Sequence, residues 1–241
     1  MKNPCRVIWA IVLCAASYAV TLGVGSVKVF GEWLGPDSWI AGSVFTHLAM
    51  LILSLVLIRV MSGGDFGAYG FKGVSVRVIP KAILAGAVTV IAASMIPTML
   101  MVMIGGRGIL GEGMGPTKGM TALQMFTSIL ILASIAEEVL YRGLIQSFLA
   151  PLGTHGIQLL RVRLSLPVIL AGAAFGMSHL ILIGNTPGPL VAVIVFATTV
   201  LGIVAGYYRE KTGSLVPAIV IHMMFNVAGV LGKLAQSSIG S

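Results

Sequence analysis

The chain has 241 residues, of which only 9% are charged and 57% are hydrophobic, and its mean hydropathy is +1.04. Soluble domains are about 25% charged, so this composition excludes a soluble globular enzyme, a disordered chain and a disulfide-stapled secreted domain. The net charge of +8 comes without the cluster of Lys and Arg that nucleic-acid binders carry, so no nucleic-acid partner is expected. The composition predicts an integral membrane protein in contact with membrane lipids.

Seven apolar segments reach or approach the roughly 20 residues that a helix needs to cross the hydrocarbon core. Backbone polar groups must be satisfied within each segment in lipid, and no segment alternates with period two, so a barrel is excluded. We therefore expect an all-α, polytopic membrane helical bundle, with residues 1–241 forming one integral membrane domain. The predicted spans are Val7–Val24, Ser38–Ile58, Ile79–Ile104, Leu123–Leu149, Leu166–Ile183, Leu190–Tyr208 and Leu215–Leu234.

The distribution of Lys and Arg between the loops predicts the orientation of the chain. With the N-terminus in the cytoplasm, 11 of the 15 basic residues fall inside and 4 fall outside. Cytoplasmic loops carry the excess of Lys and Arg, so we expect a cytoplasmic N-terminus and an external C-terminus, in the plasma membrane. The first span follows basic residues and is interpreted as an uncleaved signal anchor.

Few ionisable residues interrupt the spans, and such residues usually face the interior of a bundle because charge is costly in lipid. They are His47 in span two, Glu137, Glu138 and Arg142 in span four, His179 in span five and His222 in span seven, joined by the amide of Asn226. At 1.5 Å per residue, Glu137 and His179 lie about 18 and 20 Å from the cytoplasmic ends of their spans. His222 and Asn226 lie about 10 and 16 Å in, so one shared central site is predicted.

Residues four apart lie on one face of a helix. The pairs with this spacing are Glu138–Arg142, Phe175–His179 and His222–Asn226. An ion pair between Glu138 and Arg142 would lower the cost of both charges. Glu137 is rotated by about 100° from Glu138 and must therefore face a different surrounding.

These side chains suit attack of water on a peptide carbonyl. A carboxylate held out of bulk water can act as a general base, and a neutral histidine can share the water with it. A second histidine and an amide can donate hydrogen bonds to the developing oxyanion, so no Ser or Cys nucleophile is needed. Ser134, Ser147 and Ser178 are expected to bond to backbone carbonyls of their own helices instead.

Three motifs in this order resemble the CPBP family. They are EExxxR over 137–142, FxxxH over 175–179 and HxxxN over 222–226. That family comprises intramembrane proteases related to the type II CAAX prenyl endopeptidases and to bacteriocin-processing and self-immunity (Abi) proteins. The resemblance covers about residues 122–230, which would be the core of a single protease domain.

The resemblance implies a role for each motif residue. Glu137 is expected to activate water with help from His179, and His222 with Asn226 to stabilise the oxyanion. The residues expected to support them are Glu138, Arg142 and Phe175. The family commonly has eight spans and a site open to the cytoplasm, and its members act on protein or lipidated-peptide substrates such as prenylated CAAX C-termini. A metal-free glutamate mechanism, requiring no cofactor, is the preferred interpretation.

Three alternatives stay open at this stage, and the oligomeric state is not indicated. Glu137, His179 and His222 could instead be three ligands of a catalytic zinc with one position left for water, although no HExxH pair is present. Buried Glu and His also serve transporters, but no inverted repeat of the kind found in many carriers is visible. A non-catalytic membrane scaffold or immunity protein is the third alternative.

Two further features carry weaker expectations. His47 belongs to no motif, so a hydrogen-bonded core histidine is favoured over a role in a substrate cavity. The sequence AGAAFG at 171–176 predicts a face on which another helix packs closely, because glycine lets two backbones approach.

Overall fold

The computed structural model describes residues 8–10, 12–13, 15–17, 19, 43–105, 120–184 and 186–239. These ranges form a bundle of helices with one short β-hairpin, which confirms the predicted helical membrane class. The helices are α1 (Phe45–Ser62), α2 (Val76–Gly105), α3 (Ala122–Leu152), α4 (Leu166–Ser178), α5 (Gly188–Thr212) and α6 (Val216–Ile239). Five of these described helices, all except α4, are long and apolar enough to cross a membrane. Most of the first predicted span lies outside the described residues.

Helix α3 lies at the centre of the bundle. Every residue from Val139 to Ile145 is buried, and α1 and α6 both pack against this helix. Helix α5 packs against α4 and α6, while α2 packs against α6. The second half of α3 is therefore enclosed by its neighbours, and the side chains of Glu138 and Arg142 face protein.

The winding of α3 changes along its length. Two π-helical stretches, Met125–Ala133 and Val139–Ile145, flank a short α-helical stretch, Ser134–Glu138. Wide π turns are frequently found at functional sites. Glu137 and Glu138 are the last two residues of this α-helical stretch, directly before the second π-helical one.

Helices α4 and α5 approach each other through glycines, as the sequence at 171–176 predicts. A Cβ atom added to Gly202 would lie 2.7 Å from the Cα atom of Gly172. A Cβ atom added to Gly172 would lie 2.9 Å from the backbone nitrogen of Ile203. Side chains at these two positions would push the helices apart, so glycine sets the spacing of the pair.

The fifth predicted span is shorter than expected. Helix α4 ends at Ser178 and continues only as a 3₁₀ turn, His179–Leu182. The carbonyl of Phe175 accepts hydrogen bonds from the Ser178 hydroxyl at 2.6 Å and from His179 Nδ1 at 3.0 Å. The backbone N–H of His179 bonds to the carbonyl of Gly176 and not to that of Phe175, as it would in an α-helix. The helix therefore tightens at His179, and its α-helical part ends there.

The segment between the fourth and fifth predicted spans contains a hairpin that the sequence did not indicate. Strand β1 (Gly156–Leu159) pairs antiparallel with β2 (Val162–Ser165). The turn between the strands holds Leu160 in the left-handed region at φ 52°. Both strands are short; β1 is exposed throughout, whereas the last two residues of β2 are buried.

The loops that the charge count assigns to the cytoplasm meet at one end of the bundle. The Ser214 hydroxyl donates to the carbonyl of Lys72 at 2.6 Å, and the N–H of Leu215 donates to the carbonyl of Gly70 at 2.9 Å. Arg209 Nη2 donates to the Ser147 hydroxyl at 3.1 Å. The internal arrangement agrees with a shared side for these loops, while the orientation in the membrane stays a prediction.

Candidate active site

Glu138 and Arg142 form an ion pair that is fully buried inside the protein. Arg142 Nη1 donates to Glu138 Oε1 at 3.0 Å, and both side chains are 0% exposed. His222 Nδ1 lies 2.8 Å from the same oxygen. The ion pair expected from the four-residue spacing is confirmed. The contact between His222 and Glu138 joins α6 to α3.

Glu137 has different surroundings, as its rotation from Glu138 predicts. Its side chain is 13% exposed, and its Oε2 lies 3.5 Å from His222 Nε2. Its Oε1 lies 3.6 Å from Nε2 of His47 on α1. Both distances exceed those of typical direct hydrogen bonds, and the carboxylate lies between the two imidazoles with one oxygen facing each of them.

His222 contacts both carboxylates through different nitrogens. Because the carboxylate of Glu138 accepts from Nδ1, that nitrogen carries a hydrogen. Nε2 then faces Glu137, and any hydrogen bond between them needs a proton on Nε2, a protonated carboxyl or a water in the gap. The chain thus positions one imidazole where it can exchange a proton with Glu137.

The buried ring of Phe175 packs against His179, His222 and Arg142. Its centroid lies 5.1 Å from that of His179 and 5.5 Å from that of His222, and 4.7 Å from Arg142 Cζ. The carbonyl of Phe175 accepts from His179 Nδ1 at 3.0 Å, which leaves Nε2 for another partner. Among the described residues no hydrogen bond or ion pair joins His179 directly to Glu137.

Asn226 is held by α3 and not by His222. Its Nδ2 donates to the carbonyl of Ile129 at 3.2 Å and to the hydroxyl of Ser134 at 3.1 Å. Ser134 lies one turn before Glu138, so the amide is near the carboxylates without contacting them. The oxyanion role of Asn226 stays a prediction, since it requires the amide to exchange these partners for substrate.

The three serines near the site bond to backbone carbonyls of their own helices, as expected. Ser134 donates to Ile129, Ser147 donates to Arg142 and Ser178 donates to Phe175. A hydroxyl occupied in this way is a poor nucleophile.

The proposed zinc ligands do not converge. In the parts of the chain that the structure describes, no group of three or more His, Cys, Asp or Glu side chains is arranged to hold a metal ion. Glu137 and His222 are adjacent, while Nδ1 of His179 is occupied by the carbonyl of Phe175. This donor set does not fit a metal bound by all three residues.

His47 is the site neighbour that the sequence did not indicate as functional. It lies about 90 positions before Glu137 and in no motif, so only the packing of α1 on α3 brings the two together. The one available signal was its position in an apolar span, where an ionisable side chain is costly.

Residues 119–228 match the family model described as Type II CAAX prenyl endopeptidase Rce1-like. This segment is similar to the Rce1-like family. All three motifs lie within the matched Rce1-like segment, whereas His47 lies outside it. The similarity to CAAX-type intramembrane endopeptidases thus covers somewhat under half of the chain, and the five apolar helices support an integral membrane protein. No curated protein and no solved structure matches the chain at a significant level.

Proposed function

We propose that this endopeptidase hydrolyses its substrate with a water molecule activated by Glu137. The observation that carries the proposal is the contrast within the acidic pair. Glu138 is fully buried and neutralised by Arg142, whereas Glu137 is partly accessible and has imidazoles on both sides. Only Glu137 is free to take a proton from water beside a bound peptide.

The chemistry follows a general-base course. Glu137 accepts a proton from water as the water oxygen bonds to the peptide carbonyl carbon, and negative charge develops on the carbonyl oxygen. Glu137 then delivers that proton to the leaving nitrogen as the carbon–nitrogen bond breaks. No metal is required for either step.

The remaining motif residues have supporting assignments in this proposal. His179, with Nε2 free, orients the water beside Glu137. His222 donates from Nε2 to the oxyanion once that nitrogen carries a proton, and Asn226 joins it by releasing Ser134. Preorganised donors of this kind contribute about 10²–10³ in kcat.

The proposed substrate is a membrane-associated protein with a lipidated Cys near its C-terminus. The family supports this class through its prenyl endopeptidase activity. The site would open toward the end of the bundle where the hairpin and the basic loops meet, on the cytoplasmic face.

A cleavage assay tests the proposal. Purified protein in lipid nanodiscs is incubated with a panel of prenylated CAAX peptides, their unprenylated counterparts and membrane proteins. We expect cleavage of prenylated peptides by the natural chain and none by Glu137→Gln. Full activity of Glu137→Gln would reject the glutamate base, and cleavage that ignores the prenyl group would reject the substrate class.

A further inference from the structure

The α1 helix presents one continuous face to α3. Met50, Ser54 and Ile58 recur at intervals of four residues along it and are 0–1% exposed. Ile58 Cδ1 lies 3.5 Å from the position that a Cβ atom on Gly143 would take. His47 is the next position on this face, three residues before Met50, which places it level with Glu137.

The hydrogen bonding of His47 defines which nitrogen faces the site. Its Nδ1 lies 2.7 Å from the carbonyl oxygen of Ser43. A carbonyl only accepts, so Nδ1 carries a hydrogen and donates it. Nε2 is therefore the nitrogen that faces Glu137, 3.6 Å from Oε1.

Glu137 is approached by titratable groups from several helices. His47 comes from α1, His222 from α6 and His179 from the end of α4, while Glu138 is adjacent on α3. Two of these groups contact opposite oxygens of the Glu137 carboxylate, His47 at Oε1 and His222 at Oε2. The orientation of that carboxylate is thus defined by one residue from the matched segment and one from outside it.

We propose that His47 is a positioning residue for Glu137. With both ring nitrogens protonated, it donates from Nε2 to Oε1. This contact fixes the rotation of the carboxylate, which presents the same oxygen to water in every catalytic cycle. Contacts of this kind are often long before substrate binds and shorten in the complex. The proposal rests on the proposed function, because it concerns the carboxylate assigned there as the base.

Three variants test the proposal by kinetics. His47→Phe keeps a ring but removes both nitrogens, while His47→Gln offers an amide N–H near the position of Nε2. His155→Phe is the matched control, because His155 is exposed in the loop before β1 and its imidazole pairs with the neighbouring Thr154 hydroxyl, far in sequence from the motifs. Values of kcat and KM are measured on the best peptide of the panel.

Misplacing a reacting group by about 1 Å can cost about 10²-fold in rate. We therefore expect His47→Phe to lower kcat by about 10- to 100-fold with little change in KM, and His47→Gln to recover most of the loss. A kcat for His47→Phe within about twofold of the natural chain would overturn the proposal. Equal losses in the Phe and Gln variants would also overturn it, because a residue needed only for packing gives no rescue.

A second measurement reads the contact without any activity. A hydrophobic carbodiimide labels protonated carboxyl groups within membranes, and fragmentation mass spectrometry distinguishes Glu137 from Glu138. Losing the partner of Oε1 should raise labelling of Glu137 in His47→Phe, but not in His47→Gln or His155→Phe. Unchanged labelling in His47→Phe overturns the contact, even for a chain that cleaves no peptide. Failure of the proposed function appears separately, as full activity of Glu137→Gln.

Discussion

Glu137 and Glu138 are adjacent on α3, but they differ in exposure and in the partners of their carboxylates. Glu138 is 0% exposed, finds its charge partner four residues away on α3, and shares one oxygen between Arg142 and His222. Glu137 is 13% exposed, and the imidazoles that flank it belong to α1 and α6. We call these the sealed side and the accessible side of the site. The sealed side is a buried ion pair, and the proposed function places water and peptide at the accessible side.

The largest effect should come from the accessible side. Glu137→Gln keeps the shape of the side chain but removes the base, so kcat should fall by about 10²–10⁴-fold. The melting temperature should stay close to that of the natural chain, measured in the same detergent. A large drop in melting temperature with this variant would break the comparison, because Glu137 would then be structural as well.

The sealed side should respond in stability. Glu138→Ala leaves the Arg142 guanidinium buried without its partner, which should cost about 3–5 kcal/mol. Denaturant unfolding in mixed micelles measures this loss.

Replacing both partners provides the control for that variant. Glu138→Met combined with Arg142→Met removes both charges, and apolar replacement of a buried pair is often neutral or stabilising. The double variant should therefore be markedly more stable than Glu138→Ala alone. If it is equally unstable, the contribution of Glu138 lies in its contact with His222 and not in the ion pair.

A smaller loss of stability is expected from a substitution at Gly202, which lies between Gly172 of α4 and the Arg142 side chain. A Cβ atom on Gly202 would lie 2.7 Å from Gly172 Cα and 2.9 Å from Arg142 Nη2. Gly202→Ala should therefore destabilise by about 1–3 kcal/mol through overpacking. Gly232→Ala is the matched control, because no atom lies within 4 Å of the added Cβ. Equal melting temperatures for these two variants would contradict the close approach of α4 and α5.

The smallest effect is expected from metal removal. Since the described Glu and His side chains form no three-ligand cluster, chelator treatment should leave cleavage unchanged. Elemental analysis of the purified protein provides the second measurement. Stoichiometric zinc whose removal stops cleavage would assign Glu137 to a metal and would replace the general-base proposal.

Local spacing predicted much of this site correctly. The four-residue separation of Glu138 and Arg142 indicated their ion pair, and the rotation of Glu137 indicated its separate surroundings. The glycines at 172 and 176 indicated the close packing of α4. Each of these predictions depends on the geometry of a single helix, which the sequence determines almost alone.

The features that the sequence did not reveal depend on contacts between distant elements or on local competition for hydrogen bonds. His47 meets Glu137 only through the packing of α1 on α3. Asn226 was expected beside His222 in function, but its donors are taken by Ile129 and Ser134. The early end of α4 arises because two side chains compete for the carbonyl of Phe175. A hydropathy pattern carries no information on such side-chain hydrogen bonds.

The charge pairing within α3 has a consequence for how the protein is made. Inserting a charged residue at the centre of a spanning helix costs about 2.5–3.5 kcal/mol. Glu138 and Arg142 can neutralise each other as soon as α3 forms, because both belong to it. Glu137 has no such partner on α3, and its second imidazole arrives only when α6 enters the membrane. Assembly of the accessible side therefore waits for the last described helix, so a partly synthesised chain would hold a stable α3 before it holds the complete proposed site.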